Sequence, residues 1–301
     1  MTALSIRNLS KNYGTFAALK DFSAEIAPGT VFGLLGPNGA GKTTTFKCLL
    51  GLSRADSGEA LFDGMPLQPQ FFDRIAYVPE KSVLYDWMTI GQHLEMQKRA
   101  FSAFSARRAE ELLALFDLDP RKRVRNLSKG MRTGAALVMA FSANPDLLVL
   151  DEPTSGLDPL NQRAVLKLII DAAADGKTII FSSHQIGQVE RAAEHIAILQ
   201  NGKLLLAGAV EDLKSEYKIV EGIFSDERIS SNGLARDPRV TRVETTGRVL
   251  RTIVRDDSSG VAAELERLGA SNVRMVDLNL EDIFLNAVSP NTPAGEIVEQ
   301  A

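Results

Sequence analysis

Apolar and polar positions alternate along Ala3–Leu9 and Leu19–Ile26, the pattern of half-buried strands. Ala27-Pro28-Gly29 then turns the chain into Val31–Leu35, an unbroken apolar run that predicts a buried strand. A helix is predicted from Lys42 to Leu50, and short strands at Glu59–Phe62 and Ile75–Val78. From Tyr85 to about Asn144 the pattern becomes helical. Thr89 with Gln92 forms a capping box for a helix to about Phe104, Ser105 caps a second ending near Leu118, and Ser128 caps a third to about Phe141. Strand patterns return at Leu147–Leu150 and Thr178–Ser182, with a helix at Pro159–Ala174 between them. Strands alternating with helices predict a mainly parallel sheet. Asn201-Gly202, between Ile196–Gln200 and Lys203–Leu206, predicts a hairpin closed by a type I′ turn.

The character changes near Tyr217. Val240–Thr245, Val249–Arg255 and Asn272–Val276 read as strands, Ser259–Leu268 and Leu280–Ala287 as helices. The expected organisation is an α/β domain over residues 1–218, with a helical subdomain at about 81–145, and a small α+β domain over 219–288. The tail 289–301, with two prolines, a glycine and few large apolar groups, is expected to be disordered.

Composition narrows the class. At 45% hydrophobic and 24% charged residues the chain can build a substantial core. A net charge of −4 argues against a nucleic-acid partner. The one cysteine, Cys48, has no internal disulfide partner and reads as a buried thiol beside Phe46, Leu49 and Leu50. No secretory signal is evident, and no stretch approaches the roughly 20 apolar residues that span a bilayer. The expected location is cytoplasmic, with any spanning segment supplied by another chain.

The chemistry begins at Gly36-Pro37-Asn38-Gly39-Ala40-Gly41-Lys42-Thr43, which fits the phosphate-loop pattern G-x-x-x-x-G-K-[ST] at every fixed position and sits between a predicted strand and helix. Gly36, Asn38, Gly39, Gly41 and Thr44 are expected to cradle a polyphosphate, because glycines let successive N–H groups turn inward at a helix N-terminus. Lys42 is expected to reach the β- and γ-phosphates of ATP, and Thr43 to ligate Mg²⁺. The strand Leu147–Leu150 runs into Asp151-Glu152, where Asp151 is placed to hold Mg²⁺ and Glu152 to polarise a water. Two surface acids after an apolar strand would be ordinary alone; the phosphate loop makes them a candidate pair. His184 follows the strand Thr178–Ser182, at the edge that faces the ligand crevice of a parallel sheet. His93 and His195 lack that context and read as structural.

Asn126-Leu127-Ser128-Lys129-Gly130-Met131-Arg132 resembles the signature of ATP-binding cassette transporter ATPases, usually L-S-G-G-Q. With the phosphate loop, Leu147–Glu152, Ser155–Asp158 and His184 in the family's order, the resemblance covers about residues 3 to 217. It implies a phosphate-loop ATPase with a mainly parallel core sheet, an antiparallel β subdomain and a helical subdomain. It also implies that two such subunits face head to tail, with Ser128 and Gly130 of one meeting the ATP of the other and Asp158 at the same seam. A homodimer and an integral-membrane permease subunit are the implied partners, with the chain peripheral on the inner face of the membrane. Tyr13 matches the residue that stacks on adenine, with an ordinary surface or core tyrosine as the alternative. Glu152 is implied as the base and His184 as a γ-phosphate contact.

Two positions depart from the family pattern. Glu80 stands where glutamine is usual, near Mg²⁺ and the attacking water, and competes with Glu152 for the role of base. Lys129 replaces a glycine, either adding charge near phosphate or pointing to solvent. After Glu80, the cluster Val83, Leu84, Tyr85, Trp87 and Met88 reads either as a groove for the membrane subunit or as subdomain core. Leu280-Glu281-Asp282-Ile283-Phe284-Leu285 resembles a stretch in the small extensions of exporter ATPases. Export of a cargo is the expected work. An importer ATPase, a cytosolic ATPase without transport, and a purely regulatory nucleotide-binding module are the alternatives.

Overall fold

The computed structural model describes residues 3–81, 83–225 and 233–288. The chain divides into two compact units, Met1–Ala207 and Gly208–Ala301.

In the first unit, β1 (Leu4–Tyr13), β2 (Phe16–Ile26), β3 (Val31–Leu35), α1 (Lys42–Leu49), β4 (Ser57–Phe62), β5 (Met65–Pro66) and β6 (Ile75–Val78) come first. Three helices follow, α2 (Ile90–Ala100), α3 (Ala106–Leu115) and α4 (Lys129–Ser142). The unit is completed by β7 (Leu147–Asp151), α5 (Pro159–Ala174), β8 (Thr178–Ser183), α6 (Ile186–Ala192), β9 (His195–Gln200) and β10 (Lys203–Ala209). One sheet runs β5-β4-β1-β2-β10-β9-β3-β8-β7-β6. Its β9-β3-β8-β7-β6 half is parallel, and β1 pairs antiparallel with β2 and β4.

Register explains why this half builds a site. Every residue of β3, β7 and β8 is buried, as strands covered on both faces require. Leu35 pairs with Ser183 and Asp151 with Ser182, so the segments leaving β3, β7 and β8 emerge at one edge. Beneath them Phe46, Leu34, Leu147, Val149 and Ile180 share one core. Asn201 and Gly202 both adopt positive φ, 50° and 76°, as the predicted type I′ turn requires.

Several boundaries differ from the sequence reading for identifiable reasons. β1 continues to Tyr13 and β2 begins at Phe16, because register shifts at Ile6/Leu9, Leu9/Lys11 and Lys11/Asn12 break the alternation while the pairing persists. α2 ends at Ala100 rather than Phe104, since Phe101 turns extended at φ −113°, ψ 118°. The three predicted caps form: Thr89 and Gln92 close both halves of their box, Ser105 accepts from Arg108 N, and Ser128 accepts from Met131 N. The helix α6 has only seven residues, too few for a period to show.

His93 is buried and structural. Its Nε2 accepts from Tyr85 N (2.9 Å), so Nδ1 carries the proton and donates to Thr89 O (2.9 Å). Cys48 is buried, and burial pushes its thiol pKa up.

The second unit contains α7 (Val210–Glu216), β11 (Tyr217–Ile223), β12 (Val240–Thr246), β13 (Val249–Arg255), α8 (Ser258–Arg267), β14 (Ser271–Asp277) and α9 (Leu280–Val288). Its sheet runs β12-β13-β11-β14, antiparallel throughout. The central strand β11 was not predicted: Tyr-Lys-Ile-Val-Glu-Gly-Ile breaks strict alternation, and only pairing on both sides makes it a strand. Val261 and Leu265 of α8 cover Val220, Leu250 and Val254. Arg239 clamps the sheet's edge by ion pairs to Asp237 (2.6 Å) and Asp257 (2.7 Å). The tail expected to be disordered lies outside the described residues.

Phe46 is 1% exposed and anchors α1 to the core. Phe46→Ala is expected to cost about 3–5 kcal/mol, read as a lower urea midpoint at unchanged m-value.

Candidate active site

The phosphate loop is built by close approach. A Cβ at Gly36 would lie 2.4 Å from Leu199 O, and one at Gly41 2.6 Å from Ala18 O. Gly41 also takes φ 112°, a conformation that side chains oppose. Gly41 is the N-cap of α1 and contributes no side chain, and the first turn holds no acid, so the helix start is left free for an anion.

A cavity of about 360 Å³ opens over this loop. Its wall contains Tyr13, Asn38, Gly39, Gly41, Lys42, Thr43, Thr44, Glu80, Asp151, Glu152 and His184. Gly36 sits at the base, its carbonyl accepting from Lys42 Nζ at 2.7 Å.

Inside, most of the polar groups engage one another. Thr43 Oγ1 donates to Asp151 Oδ2 (2.7 Å), and Ser182 Oγ donates to Asp151 Oδ1 (2.6 Å). Lys42 Nζ lies 3.4 Å from Glu152 Oε1, with both side chains under 10% exposed. That carboxylate oxygen makes no hydrogen bond, so the contact with Lys42 is Coulombic. His184 Nδ1 donates to Glu152 Oε2 at 2.8 Å. Glu152 itself adopts φ 51°, left-handed for a residue with a side chain. Its backbone N–H donates to Ser182 Oγ (2.9 Å), one of the contacts that hold this conformation.

Tyr77 lies close behind. Burial, then the carboxylates of Asp151 and Glu80, push its phenol well above the usual range, and its buried oxygen has no hydrogen-bond partner.

Ser128, Gly130 and Asp158 stand apart from the cavity wall. Ser128 caps α4, and Asp158 caps α5 by accepting from Leu160 N and Asn161 N, both at 3.0 Å. Those hydrogen bonds, from Asn161 first, hold the Asp158 pKa below the usual carboxylate range. A Cβ at Gly130 would lie 2.9 Å from Gly156 O, so the start of α4 sits directly on the loop before α5.

Further residues complete the cavity. Phe16, 59% exposed, pairs across the hairpin from Tyr13 at its mouth. Ser155 lines the wall, Ser182 braces Asp151, and Thr154 Oγ1 donates to Gln188 Oε1 (2.6 Å) to pin the turn after Glu152. The one local sign for Phe16 was an aromatic placed just beyond Gly14; Ser182 and Gln188 enter through the tertiary fold, and Ser155 opens the Ser155–Asp158 motif.

Residues 19–155 match the ABC transporter family. The ABC transporter ATP-binding protein YtrB of Bacillus subtilis is 31% identical over 285 residues, covering 94% of this chain and 97% of that protein. Nod factor export ATP-binding protein I of Cupriavidus metallidurans is 35% identical, covering 95% and 97%. A solved ATP-binding subunit of an ABC transporter superposes with TM-score 0.66 at 33% identity, covering 71% of this chain and 92% of that one. The chain belongs to the ABC transporter ATP-binding proteins. It is an ATPase of that family and the ATP-binding subunit of a transporter.

For an ABC subunit, two surroundings are informative. Lys129 does not simply extend into solvent: its Nζ donates to Ser155 Oγ (3.3 Å), and its stem lies over Gly156. The aromatic cluster after Glu80 is only partly buried. Met88 is buried at 7%, whereas Val83, Tyr85 and Trp87 are 76%, 52% and 68% exposed. Asp86, between those two aromatics, accepts from Arg132 Nη1 of α4 at 2.6 Å. No helix among the described residues is long and apolar enough to cross a membrane.

Gly41→Ala forces a Cβ against Ala18 O in a conformation alanine resists. Nucleotide affinity is expected to fall at least tenfold, measured by titration with a fluorescent ATP analogue.

Proposed function

We propose that this ABC ATPase drives export, working as an ATP-bridged homodimer beneath an integral-membrane permease on the inner face of the membrane. One observation carries the reading: Lys42, Thr43, Asp151, Glu152 and His184 converge on one cavity, while Ser128 and Gly130, at the start of α4, lie outside its wall. In the head-to-tail dimer that helix start would face the ATP of the second copy.

The residues present suit Mg²⁺ alongside ATP. Thr43, Asp151 and Glu80 offer hard oxygen donors, and among the described residues no cluster of three or more His, Cys, Asp or Glu forms a closed cage. Mg²⁺ is characteristically held by one or two carboxylates plus phosphate oxygens and water. When bound, it would offset phosphate charge.

The chain's own groups divide the remaining work. Lys42 and the loop amides of Asn38, Gly39, Gly41 and Thr44 hold the phosphates. Tyr13, with Phe16 beside it, offers a face to adenine. Glu152 takes a proton from the attacking water, and His184 orients that carboxylate and steadies the γ-phosphate. Glu80 serves as a metal-side group rather than as the base, because it lacks the hydrogen bond to His184 that fixes Glu152. Asp158 stands at the seam beside the partner's site.

Likeness supports the direction. The Nod factor relative is named for export and aligns along nearly the whole chain, second unit included.

Glu152→Gln keeps the shape of the site and removes the base. Its turnover is expected to drop about 10²-fold or more with ATP still bound. At concentrations where the nucleotide-free chain is monomeric, sedimentation should show a dimer with Mg-ATP and monomer with ADP. A Glu152→Gln chain that stays monomeric when saturated with ATP would overturn the bridged dimer, and near-normal hydrolysis would move the base elsewhere.

A further inference from the structure

Charge is spread unevenly along this chain. Residues 81–145 hold eleven Lys or Arg against six Asp or Glu, although the whole chain carries −4. Part of that excess stands on a ribbon of two segments in the first unit. Thr89 and Arg123 form an antiparallel bridge. Around it Ile90 N donates to Lys122 O (3.1 Å), Val124 N to Met88 O (3.0 Å) and Arg125 N to Asp86 O (3.1 Å). Segment 86–90 therefore lies alongside segment 122–125.

The ribbon has an inner and an outer side. Met88, Ile90 and Val124 are buried, at 7%, 0% and 0% exposed. Tyr85 and Trp87 are exposed, as are Lys122, Arg123 and Arg125. The acids nearby in the chain are already answered: Asp86 pairs with Arg132 (2.6 Å) and Asp119 with Arg121 (3.1 Å). Among the described residues, Lys122, Arg123 and Arg125 form no ion pair. The outer side thus joins three uncompensated cations to two amphipathic rings.

We propose that this outer side is a contact for anionic phospholipid at a membrane surface. The proposal rests on the reading that the chain works at the inner face of the membrane, and it gives that placement an attachment of the chain's own. The argument is the pairing of residue types. Indole and phenol rings, apolar in body and polar at the tip, settle at the level of lipid headgroups. Neighbouring Lys and Arg are drawn to anionic headgroups, and two such signals together hold what one holds weakly. A folded acidic partner is met best by guanidinium forks braced in one geometry, as Arg121 is by Asp119. Lys122, Arg123 and Arg125 carry no such brace, which suits headgroups that have no fixed positions. The attraction fades within a Debye length, so the contact weakens with salt.

The test uses the full-length chain with vesicles of phosphatidylcholine, alone or mixed with phosphatidylglycerol. Trp87 is the chain's one tryptophan, so its emission reports this surface directly. Mixed vesicles are expected to sediment the chain and shift that emission to shorter wavelength, with both effects reversed by salt and absent with phosphatidylcholine alone. Lys122→Gln, Arg123→Gln and Arg125→Gln are expected to weaken binding about fivefold each and about a hundredfold together. A wild-type chain that ignores mixed vesicles, binds them with Trp87 emission unchanged, or binds them as well after all three substitutions would overturn the proposal. Polyglutamate that binds as tightly with the same emission shift would overturn it too, and give the surface to an acidic protein. ATP binding and copurification with a membrane subunit are read in parallel. A chain that ignores vesicles yet copurifies with a permease keeps the proposed function and loses only this contact.

Discussion

A charged amine buried at the floor of the cavity organises the nucleotide end of the first unit. Lys42 keeps only 7% of its side chain exposed, and a buried charge persists only where its surroundings answer it. Here the answer is assembled from separate pieces of chain: the carbonyls of Gly36 and Pro37, and the carboxylate of Glu152. For these to meet, the loop must fold flat against Leu199 and Ala18, and β7 must end beside β3 and β8. One amine thus ties the loop to the end of β7.

The strain at Glu152 belongs to the same arrangement. Left-handed backbone at a residue with a side chain costs of order 1–3 kcal/mol, and Ser182 and His184 grip this residue from two sides. Burial elsewhere sustains that cost, chiefly in the apolar strands whose register fixes where Asp151 and Glu152 emerge.

Much of this was legible in the sequence wherever chemistry and local structure coincide. The phosphate loop, Asp151-Glu152 and His184 each sit at the end of a strand whose apolar run announces it, and the caps at Thr89, Ser105 and Ser128 carry their own local signal. What the sequence could not display arises between elements. Phe16 reaches the cavity because the hairpin sets it opposite Tyr13, and Ser182 reaches Asp151 because β8 lies beside β7 in that register. The strand β11 hides because its pattern follows neither period, and α6 and α7, at seven residues each, are too short to declare one. Lys129 illustrates a subtler limit. A charged residue at a position usually held by glycine invites a guess about phosphate, whereas the fold gives it a neighbour in Ser155.

The ion pair between Asp86 and Arg132 has a mechanical corollary. Asp86 is flanked by the exposed rings of Tyr85 and Trp87, which lie 5.8 Å apart, and its carbonyl also accepts from Arg125 N. Arg132 lies two residues beyond Gly130 on α4, and Gly130 rests on the loop that leads to Asp158. A load applied to the indole therefore reaches the first turn of that helix by two short routes, the Asp86 carboxylate and the backbone contact at Arg125, so the outer surface and the start of α4 are coupled over the length of one side chain.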